Sequence, residues 1–186
     1  MKENRMPRIE PVEIDQASPR VKNLYREVEN NLGTVPNMIR TMAHAPVVAE
    51  AYVSFWNLIG QGVLPATLRE QISLYVAESN GCTYCVSAHC AISKASGLRD
   101  EEVRDGRLGQ SPNAKTNSAL KFVGRILETR GKVTTQEVTA VRNAGYTDEE
   151  ITEIIALVAF VIFSNYFNNA TGTVNDFPKA GALATN

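Results

Sequence analysis

The chain has 186 residues and a mass of 20.4 kDa; 44% of its residues are hydrophobic and 21% charged, with 12 Gly and 8 Pro. That excludes disordered, collagen-like and low-complexity chains, and the length suffices for one domain with a real core. The 19 Lys and Arg against 20 Asp and Glu leave a net charge of −1, so there is no basic excess to hold a nucleic-acid backbone. Three cysteines are too few, and too odd in number, for a disulfide scaffold.

The opening residues, MKENRMPRIEPVEID, hold no apolar stretch of the secretory kind. Residues 1–16 read as an N-terminal arm. Ser18-Pro19 opens the first helix as cap and first residue, with Val21, Leu24, Tyr25, Val28 and Leu32 at helical spacing and Gly33 as the stop. Residues 36–43 form a short helix. Pro46 opens a third, with Val48, Ala51, Tyr52, Phe55, Leu58 and Ile59 on its inner face, ending at Gly60. Pro65 opens a fourth, striped by Leu68, Ile72, Tyr75 and Val76 and stopped by Asn80-Gly81. A fifth runs from Cys82 to near Gly97. Ser111-Pro112 caps the next, through Leu120, Val123, Ile126 and Leu127 to Gly131. Thr134-x-x-Glu137 and Thr147-x-x-Glu150 are capping boxes, the second opening the very apolar helix of residues 148–168. The longest apolar run there, Ile154 to Phe163, is ten residues. A membrane span takes about 20, so the run reads as a buried helix or subunit interface, enclosed on most sides. Nothing alternates as a strand does. The prediction is all-α, eight or nine helices, over residues 17–175, with a C-terminal tail at 176–186, in a reducing, cytoplasmic setting.

One segment carries chemistry: Cys82-Thr83-Tyr84-Cys85-Val86-Ser87-Ala88-His89. On a helix Cys82 and Cys85 are three residues apart and Cys85 and His89 four, so all three share a face. The Asn80-Gly81 break places Cys82 at the helix N-cap, where free backbone N–H groups and the positive dipole end favour a thiolate. A free thiol with pKa near 8.5 is only a few per cent ionised at pH 7. Lowering that by about two pH units raises the thiolate fraction roughly 25-fold, for about 2.7 kcal/mol. Alone, either cysteine would read as a small buried filler and His89 as a core histidine. Together they point to a reactive dithiol. A zinc site is the rival reading: two thiolates and an imidazole lack a fourth ligand, which Glu70 supplies only through the fold, since Cys90 points about 100° away round the helix.

Read with Glu70, the pattern is E-x11-C-x2-C-x3-H. It resembles the signature of the alkylhydroperoxidase D-like, peroxidase-related branch of the carboxymuconolactone decarboxylase family. Val35-Pro36-Asn37, the MAHAP of residues 42–46 and the NYFNNATG of 165–172 resemble the same branch, over roughly residues 30–175. The resemblance implies an all-helical AhpD-like fold that assembles as a homo-oligomer (dimer, trimer or hexamer). It implies a thiol-dependent, peroxiredoxin-type hydroperoxide reductase with no bound cofactor, reduced by a dithiol or redox partner protein. It implies Cys85 as the peroxidatic sulfur, Cys82 as the resolving one, and His89 with Glu70 as a proton relay.

The helix-end argument makes Cys82 the more acidic sulfur, while the histidine argument favours Cys85; an adjacent base activates a nucleophile directly, so Cys85 is expected to attack. The sequence departs from well-studied members at Tyr84, where a histidine of the relay can stand; a phenol with pKa near 10 relays protons poorly at pH 7. His44, in the MAHAP stretch, is a secondary candidate for lining the pocket. Cys90 reads as a buried filler, and Asn165, Tyr166 and Asn168 as polar groups bonding into the site or across a subunit interface. The non-enzymatic alternative is a redox-sensing or scaffolding module; another is a decarboxylase-like enzyme acting on a different substrate.

Overall fold

The computed structural model describes residues 6–183; the outermost parts of the expected arm and tail, 1–5 and 184–186, lie outside the described residues. Among the described residues there are nine helices and no strand: α1 Pro19–Leu32, α2 Asn37–Met42, α3 Pro46–Gly60, α4 Ala66–Ser79, α5 Thr83–Ala95, α6 Asp100–Arg107, α7 Ala114–Thr129, α8 Thr135–Asn143 and α9 Asp148–Thr171. The chain divides into two compact units, one of residues 1–61 and 167–176, the other of 62–166 and 177–186, so α9 contributes to both.

The first unit holds α1, α2 and α3 around Val21, Leu24, Tyr25, Val28, Ile39, Met42, Ala49 and Val53. Ser18 caps α1 by accepting from Val21 N–H, with Pro19 as the first residue and Gly33 at φ +74° as the stop. The buried face of α3 is not the expected one. Ala49 and Val53 are buried, with Val48 and Tyr52 of the expected face packed beside them, whereas Ala51, Phe55 and Leu58 of that face are exposed. Apolar residues surround α3 on nearly every side, so periodicity does not choose a face; the small Ala49 permits the closest approach to α1 and α2. The arm is stitched on by its backbone. Arg8 and Ile9 N–H donate to Thr171 O, Val12 N–H donates to Arg40 O, and Tyr25 Oη donates to Val12 O at 2.9 Å.

In the second unit α4 is the hub, packing against α5, α6 and α7. Its entry is held by Glu153 of α9, whose carboxylate accepts from Val63 N–H (2.8 Å) and Leu64 N–H (3.0 Å). Gly62 leaves room for that carboxylate: a Cβ there would lie 2.5 Å from it, and Glu153 would have to shift. Helix α6 was not anticipated, because Val103 is its one large apolar residue. Its signal was instead a staple and a half-box. Leu98 ahead of the cap and Val103 in the first turn are buried together, and Glu102 accepts from Arg99 N–H at 3.0 Å. The cap of α7 is Asn113 rather than Ser111-Pro112: Asn113 Oδ1 accepts from Thr116 N–H, while Ser111 Oγ accepts from Asn113 N–H. Both threonine capping boxes form as expected.

Helix α9 is long and apolar enough to cross a membrane by length and composition, with a mean hydropathy of 1.6 over its best window. Ile151, Ile154, Leu157, Val158, Phe160 and Val161 are nonetheless buried, which marks a core helix. It is less enclosed than its sequence implied: Ile155, Phe163 and Tyr166 are exposed along one side.

Burial pushes the Tyr25 hydroxyl up to about 12, and does the same to Tyr146. Both phenols are protonated in folded and unfolded chains below pH 10, so their contribution is intact there. Between pH 10 and 12 the unfolded chain ionises first and the fold loses stability as pH rises. The expected loss is on the order of 1–2 kcal/mol for each, discounted for partial solvent access. Urea midpoints measured from pH 8 to 11.5 should fall above pH 10, and fall less steeply in Tyr25→Phe.

Candidate active site

The site is built on the turn between α4 and α5. Gly81 N–H donates to Glu78 O and Cys82 N–H to Ala77 O, both at 3.0 Å, the paired bonds of a Schellman stop. That stop needs a left-handed residue at position 81, and Gly81 has φ +61°. Cys82, the residue after it, is at once the N-cap of α5: its Sγ accepts from Cys85 N–H at 3.2 Å. One helix therefore ends and the next begins across three residues, 80–82. Asn80, at the corner, donates from Nδ2 to Oδ1 of the fully buried Asn165 at 3.0 Å, tying the turn to α9.

Cys82 and Cys85 are joined as a disulfide, with Cα atoms 5.3 Å apart. Cys82 exposes no surface and Cys85 4%. One turn along α5, His89 Nδ1 faces Glu70 Oε2 of α4 at 2.9 Å, both side chains mostly buried. An ionised Glu70 accepts, so Nδ1 carries the proton and Nε2 of a neutral His89 has the lone pair. Glu70 and His89 thus face each other across α4 and α5, and the Cys82–Cys85 bridge lies one turn before His89 at the start of α5.

The other candidates fall elsewhere. Tyr84 is buried with its ring edge-on to Phe177, centroids 5.6 Å apart and planes at 87°, so its ring packs against the C-terminal segment. His44 belongs to the first unit, where its Nε2 meets Glu10 O at 2.9 Å and helps tether the arm. Cys90 is a filler only in part: it packs against Leu74, Leu98 and Val103 but is partly exposed and lines a cavity. Asn168 donates to Met38 Sδ at 3.0 Å, and Tyr166 is 61% exposed. The Asn80–Asn165 pair was missed; a turn residue gives no hint of a partner 85 positions away. Among the described residues no group of three or more His, Cys, Asp and Glu is disposed to hold a metal ion.

Residues 46–124, which include all four site residues, match the model of the carboxymuconolactone decarboxylase family. That match supports the resemblance to the alkylhydroperoxidase D-like branch of the family that the E-x11-C-x2-C-x3-H pattern carries. The fold is shared across nearly the whole chain. An uncharacterized peroxidase-related protein from Ralstonia eutropha JMP134, described as an alkylhydroperoxidase AhpD core, superposes with a TM-score of 0.84 at 25% identity, covering 93% of this chain and 94% of that one. A second peroxidase-related protein, from Silicibacter sp. TM1040, gives 0.80 at 20% identity, with 94% of each chain covered. The debrominase Bmp8 gives 0.75 at 24% identity, covering 90% of this chain and 91% of its own; a cysteine-to-alanine form of it is known in complex with 2,3,4-tribromopyrrole. No curated protein matches the chain by sequence.

Because Cys82 Sγ serves as the N-cap acceptor, its replacement should register in stability as well as in chemistry. In reduced protein, Cys82→Ser keeps an acceptor for Cys85 N–H, whereas Cys82→Ala leaves it bare, so Ser should be the more stable by about 1 kcal/mol. Thermal denaturation of both variants in excess reductant measures the difference.

Proposed function

We propose that the protein is a thiol-dependent hydroperoxide reductase that cycles between the Cys82–Cys85 dithiol and its disulfide. The single observation that carries this reading is the redox pair at the start of α5 with the His89–Glu70 couple one turn on. In the reduced enzyme Nε2 of His89 takes the proton of Cys85. The thiolate attacks the terminal oxygen of the hydroperoxide, the O–O bond breaks, and Cys85 becomes a sulfenic acid. The departing alkoxide takes a proton from His89, leaving as alcohol, or as water when the substrate is hydrogen peroxide. The Cys82 sulfur then displaces hydroxide from the sulfenate, which leaves as water, and forms the disulfide. An external dithiol restores the pair by exchange, giving up two electrons and two protons per turnover. Glu70 fixes the tautomer and orientation of His89 and steadies the imidazolium while it carries the proton.

The same dithiol supports a second reading, favoured by the likeness to the debrominase. Reductive removal of a halogen from an organic halide takes the same two electrons and one proton, which replaces the halogen on carbon; halide and the second thiol proton are released, and the same disulfide is left. The two readings share every residue and differ in the electrophile. A regulatory module would also carry the bridge, but it would not turn over repeatedly with a dithiol. Cytoplasmic residence and a homo-oligomer belong to the proposal as well; the exposed apolar side chains of α3 and α9 favour self-association.

Under excess dithiol reductant, Cys85→Ser should abolish peroxide consumption; pre-reduced Cys82→Ser, freed of reductant and given peroxide, should form one sulfenate per chain, trapped by dimedone and read by intact mass. A sulfenate at wild-type rate in Cys85→Ser would reverse the assignment of the two sulfurs. Loss of halide from a bromopyrrole, with no consumption of cumene hydroperoxide, would favour the second reading. Glu70→Gln should keep the fold but lower the rate of bridge formation by about a hundredfold, measured by stopped-flow tryptophan fluorescence.

A further inference from the structure

A second site lies on the opposite side of α5. Cys90 and Lys94 are about 140° round the helix from Cys85 and His89, five residues on from each. They open onto a cavity of about 440 Å³ closed on its far side by the C-terminal segment 178–181 and by α6. Ligand pockets run from about 300 to 1,000 Å³, so the space is ligand-sized. Ala91, Val103 and Pro178 give it an apolar lining; Lys94, Arg104, Arg107 and Lys179 surround it, against Asp100 as the one lining carboxylate.

The wall is held in place by built contacts. Arg107, largely buried, donates to Glu78 and to Gly181 O, each at 2.8 Å, and Ala180 N–H donates to Ser87 Oγ at 3.2 Å. The remaining cations are loosely engaged. Lys94 pairs with the exposed Asp100 at 2.8 Å and Arg104 with its neighbour Asp105 at 3.2 Å; Lys179 has no ion pair among the described residues. Exposed pairs of this kind hold their partners weakly, so an incoming anion displaces them at little cost. A chain with a net charge of −1 has concentrated positive charge around one apolar-lined cavity.

We propose that this cavity binds a small organic anion, a carboxylate or phosphate headgroup on a short apolar stem, separately from the dithiol. The headgroup meets Lys94, Arg104 and Lys179, and the stem lies on Ala91 and Val103 beside the Cys90 thiol.

Cys90 reports on the site directly. With Cys82 and Cys85 joined, it is the one free thiol of the three cysteines. Alkylation of oxidised protein by iodoacetate and by iodoacetamide, each normalised to N-acetylcysteine at low ionic strength, compares an anion with its neutral analogue at one sulfur. The cationic rim should favour iodoacetate roughly tenfold, and the preference should collapse at about 0.5 M salt and in the triple variant Lys94→Gln, Arg104→Gln, Lys179→Gln. Octanoate or octyl phosphate should slow the labelling severalfold, whichever protects better naming the headgroup, while octanol should not. An iodoacetate preference no greater than that of N-acetylcysteine, or protection by octanol equal to that by the anions, would overturn the proposal. The salt dependence of the unaltered protein keeps the test decisive should the triple variant fold poorly.

Discussion

Everything at the candidate site depends on how α4 hands over to α5. A helix end leaves carbonyls without partners, and a helix start leaves N–H groups without partners. Here both needs are met within residues 80–82. Gly81 takes the left-handed conformation that closes α4, and the sulfur of Cys82 receives the free N–H of Cys85, the third residue of α5. The handover holds the helices side by side, so that Glu70 in the second turn of α4 meets His89 in the second turn of α5. A longer connection would leave the carboxylate and the imidazole free to drift. A side chain larger than hydrogen at position 81 would strain the turn that sets their register.

Much of this was legible in the sequence, and for local reasons. Asn-Gly before Cys82 announced a stop and a cap; the three- and four-residue spacings placed Cys82, Cys85 and His89 on one face; and both threonine capping boxes formed. The failures were of another kind. Helix α6 was overlooked because its stability resides in a charged first turn and a staple across its start, which an apolar stripe does not reveal. The face of α3 was misjudged because a helix apolar all round gives periodicity nothing to select. The pairing of Glu70 with His89 followed from a family resemblance; spacing alone could not have brought two helices together.

The C-terminal segment was the least legible part. As sequence it is only a tail; in the fold, Phe177 packs on Tyr84, Ala180 bonds Ser87 and Gly181 is gripped by Arg107. These contacts run along the side of α5 away from the sulfurs. The redox helix is therefore fixed on both sides, by α4 across the site and by the tail behind it. Tyr84, next to Cys85 in sequence, packs its ring on Phe177, since one residue along a helix is a turn of about 100°.

The capping of α5 by a sulfur gives the disulfide a direction. Thiol–disulfide exchange proceeds in line, one sulfur attacking, the next accepting the new bond and the third departing. Cys82 exposes no surface, so an incoming thiolate meets Cys85 first, and the sulfur that departs is Cys82. That departing thiolate stays where it already accepts the Cys85 N–H, at the positive end of a helix dipole, which makes it a good leaving group. In the proposed cycle the two competing arguments about acidity describe two different moments: histidine would prepare Cys85 for the oxidant, and the helix end would receive the charge on Cys82 when the bridge is opened.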